Sequence, residues 1–208
     1  MAKFPEPPYV AELARHPPAV RIVAAGTMLW RIYFRSTAHH TKWNTFRRFG
    51  PTGSRFDHHE TPKRFQDRGI MYTASGGETC FAECFQSTRT IDVNRGRPAL
   101  VAFALARDLE LLDLTGDWPT QVGASMAINS GPRPRAQRWA RAIYAAYPNL
   151  HGIWYASSMA ANEPAQALFE RATGRCRIPR RFIDCLPIPR SKAWCSGPRC
   201  DFVTQSSS

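Results

Sequence analysis

Residues 98–106, PALVAFALA, carry no charged or hydrogen-bonding side chain over nine positions. Such a run is stable only where both of its faces are covered, so it reads as a strand in the middle of a sheet. The rest of the chain must supply its partner strands, and several candidates are present. LELLDLT at 109–115 follows after a turn. In TMLWRIYFR at 27–35, Met28, Trp30, Ile32 and Phe34 fall on one face, and Leu29, Arg31, Tyr33 and Arg35 on the other. HGIWYASS at 151–158, PAQALFE at 164–170 and residues 181–187 read as further strands. A short helix is expected over 119–129 and a longer one over 133–147. In the longer one Ala136, Trp139, Ala140, Ile143 and Tyr147 form an apolar stripe, with Arg135, Arg138 and Arg141 outside it. With 17 prolines among 208 residues, the expectation is one compact, loop-rich domain of the α/β (α+β) class, with mixed β-sheets flanked by helices. The boundaries read as a Pro-rich N-terminal arm over 1–20, a domain over 21–187 and a basic, Ser-ended tail over 188–208.

Residues 68–87, RGIMYTASGGETCFAECFQS, add a strand, a turn and a helix. Ile70 and Tyr72 alternate with Met71 and Thr73. Ser75 stands three residues before Glu78, the spacing of a capping box, which places the helix start there. Cys80, Phe81, Cys84 and Phe85 share an apolar face, and Glu83 projects to a flank away from it. A carboxylate so placed faces either water or a cleft, and spacing does not decide between them.

The formal net charge is +12, and it is unevenly spread. No acidic residue lies between Asp117 and Glu163, and Arg171–Cys200 holds eight basic residues against Asp184 alone. Such a surface attracts polyanions: nucleic acid, phosphorylated small molecules or an acidic protein. It also suits a basic solvated face with no specific ligand. A basic nucleic-acid-binding module is one alternative, although no RRM, KH or helix-turn-helix pattern is present. No apolar run of about 18 residues exists to span a membrane, and the opening MAKFPEPPYV lacks a signal-peptide core. The expected location is therefore cytoplasmic. In such a reducing compartment the six cysteines are expected to be free thiols. Cys176, Cys185, Cys195 and Cys200 follow no zinc-ligand spacing, so no metal is expected.

No GxGxxG, P-loop, HExxH or GxSxG motif is present. Two arginines stand out by position. Arg31 sits mid-strand, either solvating a sheet edge or flooring an anion pocket. Arg55 follows the Gly53–Ser54 step inside the long irregular segment 36–67, as a surface residue or an anion clamp. In chain order come LWRIY (Arg31), GSRF (Arg55), IMYTAS (Tyr72), CFAEC (Glu83) and WYASS (Ser157). Together with Tyr155, Asn162, Leu168 and Phe169 this order resembles the RES domain family over roughly residues 27–172. Departures from the family pattern are Ser54 in the turn, Phe81 before Ala82–Glu83, Ala156 after Tyr155, and Ser158–Met159 after Ser157. The last leaves Ser157 and Ser158 both open as the functional serine.

The resemblance implies a fold like that of ADP-ribosyltransferases, with NAD as substrate in a cleft. It implies cleavage of the nicotinamide–ribose bond by phosphorolysis, with inorganic phosphate as co-substrate, or by hydrolysis; ADP-ribosyl transfer to a macromolecule is the alternative. The implied catalytic residues are Arg31, Arg55, Tyr72, Glu83 and Ser157, and the implied NAD-binding residues are Arg31, Tyr33, Arg55, Tyr72, Tyr155 and Asn162. Bond cleavage passes through an oxocarbenium-like state that one carboxylate can stabilise, which fits Glu83. The arginines suit the diphosphate or an incoming phosphate. The family also implies the toxin of a toxin–antitoxin pair, restrained by a partner with an Xre-like helix-turn-helix region. Nucleic acid would then be met only through that antitoxin. No membrane partner is expected, and a homo-oligomer is left open.

Overall fold

The computed structural model describes residues 4–36, 42–86, 88, 96–177 and 186–187. The expected tail over 188–208, with Cys185, Cys195 and Cys200, lies outside them. The described residues form ten strands: β1 (Val20–Val23), β2 (Met28–Phe34), β3 (Arg47–Gly50), β4 (Arg64–Ala74), β5 (Pro98–Leu105), β6 (Leu109–Asp113), β7 (Gly152–Ala156), β8 (Pro164–Phe169), β9 (Cys176–Arg177) and β10 (Leu186–Pro187). The helices are α1 (Val10–Leu13), α2 (Gly77–Phe85), α3 (Trp118–Gln121) and α4 (Arg133–Ala146). The strands form one mixed sheet in the order β1-β6-β7-β8-β4-β2-β5-β10, with β3 beside β4 and β9 beside β5. Among the described strands only β6 and β7 run parallel, as the long crossover through α3 and α4 between them requires. The fold is thus the mixed α/β class expected. Among the described residues no helix is long and apolar enough to cross a membrane.

The apolar run behaves as its composition demands. β5 is flanked by β2 on one side and by β9 and β10 on the other, and its residues are buried apart from Ala104. Neighbouring residues along the strands alternate between two cores. Ile70, Leu112, Ile153, Ala167 and Phe169 join Trp118, Trp139, Ile143 and Tyr147 under the helices. Met71, Leu111 and Leu168 join Leu29, Phe103 and Leu109 on the opposite face.

The feature that positions the site is a split in this sheet. β2 pairs with β5 from Met28 to Phe34, and β4 pairs with β8 from Ile70 to Ala74. Between themselves β2 and β4 share a single residue pair, Trp30 with Ala74. From that joint the two strands part, and α2 packs at the joint. Gly77 opens the helix there, where a Cβ would come within 3.4 Å of both Trp30 and Leu100.

Two local expectations need correction. Ser75 is not the cap of α2: Gly76 is, with no side-chain cap bond. The β4–β8 ladder continues one residue further than the sequence suggests. Ser75 N–H donates to Pro164 O at 3.1 Å, and its hydroxyl receives Gln166 Nε2 at 3.3 Å, so the sheet keeps the residue that the helix would have used. The expected helix over 119–129 is two pieces, α3 and a 3₁₀ turn at Met126–Asn129. Gly123 and Ser125 between them have φ of 80° and 64°, left-handed conformations that end a helix.

Helix α4 follows its predicted stripe, with Ala136, Trp139, Ala140 and Ile143 fully buried. What covers it was not evident from the sequence. The N-terminal arm lies along it: Phe4 and Leu13 are buried, Trp139 Nε1 donates to Pro5 O at 2.9 Å, and Tyr147 Oη donates to Leu13 O at 2.9 Å. Glu6 accepts from both Arg135 and Arg138.

Candidate active site

The parting of β2 and β4 opens a cavity of about 520 Å³. β2 gives it Arg31 to Phe34, β4 gives Ile70 and Tyr72 to Ala74, α2 gives Cys80, Glu83 and Cys84, and the 52–55 turn gives Thr52 to Arg55. Arg31, Tyr33, Arg55, Tyr72, Glu83 and Tyr155 therefore meet around one space. Ser157 joins them through Glu83. Its hydroxyl, fully buried at the end of β7, donates to Glu83 Oε1 at 2.5 Å. Ser158, the other serine left open, lines the cavity. Asn162 does not. It is exposed in the turn that links β7 to β8, where its φ of 64° is one that Asn tolerates.

Each charged group is set by its surroundings. Arg31 is buried, and its Nη1 donates to the carbonyls of Trp43 (2.8 Å) and Thr45 (2.9 Å). Burial lowers its pKa to about 10, which leaves it cationic at neutral pH. β2 is an interior strand, so the sheet-edge reading of Arg31 gives way to the cavity-wall reading. Arg55 Nη1 donates to Gly131 O at 2.5 Å. Burial first, and the like charge of Arg133 next, lower its pKa, while Glu83 pulls the other way. Tyr72 Oη is buried near Ser54 and the Phe56 backbone without a hydrogen bond of good geometry. Burial pushes its pKa far up, and Tyr155 follows for the same reason. Both are neutral phenols at physiological pH. Cys80 and Cys84 are free thiols that burial pushes up to about 12, so neither is a ready nucleophile.

The turn carrying Arg55 is held from below by a fully buried carboxylate. Asp57 accepts from Arg47 Nη2 (2.9 Å), Thr52 N–H (2.6 Å) and Thr52 Oγ1 (2.8 Å). His59 Nδ1 lies 2.5 Å from its other oxygen. These partners outweigh its burial and hold its pKa well below the usual carboxylate range. From above, Gln137 Nε2 of α4 donates to the carbonyls of Thr52 (2.7 Å) and Ser54 (2.8 Å). A second, partly buried polar cluster centres on Glu170. Glu170 accepts from Tyr144 Oη (2.5 Å) and Gly69 N–H (2.8 Å), and His58 Nε2 lies 3.6 Å from it.

Sequence reasoning passed over Asp57, Gln137, Glu170 and Arg133, which also lines the cavity. For Asp57 a signal existed. It stands two residues after Arg55, in a stretch whose Phe56, His58 and His59 are all buried, and a carboxylate in such company needs partners. The others act across long stretches of chain, Gln137 over 83 and 85 positions and Glu170 over 101 to Gly69, and leave no local trace.

A family model described as the RES domain matches residues 28–189. Among solved structures, a chain of the crystal structure of the M. tuberculosis MbcT–MbcA toxin–antitoxin complex is similar, with a TM-score of 0.53 at 16% identity. The likeness covers 86% of this chain and 92% of that one, and at this identity it speaks for the fold. No curated protein matches the chain in sequence. A family match of this extent, on a chain that brings the arginines, the glutamate and a supporting serine together, establishes that the protein belongs to the RES domain family.

Proposed function

We propose that this protein cleaves the nicotinamide–ribose bond of NAD and is the toxin of a toxin–antitoxin pair. One observation carries the reading. Glu83, the single carboxylate among the described residues lining the cavity, is gripped by Ser157 and faces Arg31, Arg55 and Tyr72. A lone carboxylate among cations suits a reaction that builds positive charge at one carbon while anionic groups are held nearby.

In this reading Glu83 stabilises the cationic ribose as the bond from C1′ to the pyridinium nitrogen breaks. The electron pair goes to nitrogen, and nicotinamide leaves neutral. A phosphate or water oxygen then forms the new bond to C1′; water loses its proton to solvent. Ser157 fixes the carboxylate rotamer. Arg31 and Arg55 hold anionic oxygens, and Tyr72 and Tyr155 offer neutral aromatic walls against which a nicotinamide ring can pack. Catalysis is then positioning and electrostatics.

The toxin reading is supported by family membership and by the fold shared with a chain of a toxin–antitoxin complex. A proteinaceous antitoxin, Xre-like by family analogy, is the proposed partner. The test is to incubate the purified protein with NAD, with and without inorganic phosphate, and to follow nicotinamide. Release that requires phosphate identifies phosphorolysis, release without it identifies hydrolysis, and label retained on a macromolecule identifies ADP-ribosyl transfer. No release under any of these conditions would overturn the proposal.

A further inference from the structure

The described cavity walls carry four arginines, Arg31, Arg47, Arg55 and Arg133, against Glu83. Three of the four already have a partner in the protein, Arg55 through its bond to Gly131 O. Arg31 serves two backbone carbonyls, and Arg47 is paired with Asp57. Arg133 is different. It is the first residue of α4, whose first turn holds no acid, and it makes no ion pair among the described residues. Its neighbours on the helix are occupied elsewhere: Arg135 and Arg138 bind Glu6, and Arg141 points to His59 O. Arg133 instead lines the same cavity as Arg55, near enough for the two charges to repel. The backbone between them is fixed, because Arg55 donates to Gly131 O, two residues before Arg133. Gly131 itself cannot carry a side chain, since a Cβ would lie 2.7 Å from Ala127 O and 2.9 Å from the Phe4 ring.

Two guanidiniums lining one cavity, with Glu83 the single carboxylate among its described lining residues, have a common complement: an oxyanion that both can bond in bidentate fashion. We propose that Arg133 is a phosphate-binding residue of this cavity, acting with Arg55 across the gap between α4 and the 52–55 turn. The proposal deepens the NAD reading and rests on it only for which phosphate is held. One source is the diphosphate of the dinucleotide, and the other is free inorganic phosphate.

The direct test is calorimetric titration of the intact protein with inorganic pyrophosphate and with orthophosphate at low salt. Wild type, Arg133→Gln, Arg133→Lys and Arg107→Ala are compared. Arg107 is exposed in the β5–β6 turn and controls for net charge. Loss of a charge-assisted bidentate contact predicts roughly 10- to 100-fold weaker binding for Arg133→Gln. Partial recovery is expected in Arg133→Lys and no change in Arg107→Ala. Binding by Arg133→Gln within twofold of wild type, or an equal loss in Arg107→Ala, overturns the proposal. Should Arg133→Gln melt lower than wild type, the Lys variant, which keeps the charge but not the fork, decides alone. Turnover then separates the sources. A raised KM for phosphate at constant KM for NAD assigns Arg133 to the free anion, and the reverse assigns it to the dinucleotide. If wild type fails to cleave NAD, the NAD reading falls while the titration still decides the role of Arg133.

Discussion

Glu83 shows how little a single position says alone. On a helical wheel it is a carboxylate off the apolar face, the ordinary place for a solvated acid. In the fold it lies at the mouth of a split sheet, bonded to a serine 74 positions away. Its order after Arg31 and Arg55 was readable, but the bond to Ser157 was not, because no periodicity links α2 to the end of β7. Replacing Glu83 by Gln keeps the shape and removes the charge. The expected result is a fall in nicotinamide release of about 10²–10³-fold, with an unchanged melting temperature. Ser157→Ala removes a donor to a carboxylate, an interaction worth roughly 1.5–3 kcal/mol. It should lower kcat about 10- to 100-fold by that measure, with KM for NAD nearly constant.

Among the elements, β2, β5, β6, β7, β8 and the second half of β4 were legible, while β1, β3, β9 and the segment 50–60 were not. Alternation marks β2, and unbroken apolarity marks β5, because each pattern reports directly on what covers a strand. The 50–60 segment is held by long-range polar bonds instead, and its glycines and proline announced only a turn. Those bonds make stability depend on pH. Burial depresses the pKa of His58 below 6.5 in the fold, despite Glu170 beside it, and His151 is depressed likewise. Below about pH 6.5 the unfolded chain therefore takes up protons that the fold refuses, and stability falls with pH. Glu170, lowered from 4.5 to about 2, and Asp57 act at more acid values. Their contribution is complete above the unfolded carboxylate range and is lost as pH drops through their folded values. Melting curves from pH 8 to 3 should show both slopes. His58→Gln should flatten the first in part, since His151 remains, and make the second shallower, since His58 helps to hold Glu170 down. Helix α4 carries a different kind of dependence. Truncating its fully buried Trp139 to Ala should cost about 3–5 kcal/mol in a denaturant titration, whereas Glu6→Gln at the surface should cost less than about 1 kcal/mol.

At the scale of the molecule, the positive charge of the described residues has two notable destinations. Some of it lines the cavity, and some is tied to the arm by Glu6. A generic basic surface would bind DNA weakly, with affinity that disappears by moderate salt. That outcome in a filter-binding assay is expected here, and salt-resistant binding to a defined sequence would instead revive the nucleic-acid reading. The docking of the arm on α4 has a consequence for how the protein comes into being. Pro5 and Glu6 are synthesised well ahead of their partners Trp139 and Arg135, which lie 134 and 129 positions later. Arg55 waits for Gly131, and Glu83 for Ser157, across about as much chain as a small domain contains. Contacts of such separation form late, after the entropy of closing long loops has been met. A nascent chain that has released Arg31, Arg55 and Glu83 still lacks α4 and β7, and so lacks both the wall bearing Arg133 and the serine that holds the carboxylate. The site is completed only once β7 has been made, which makes a product terminated before Ser157 inert.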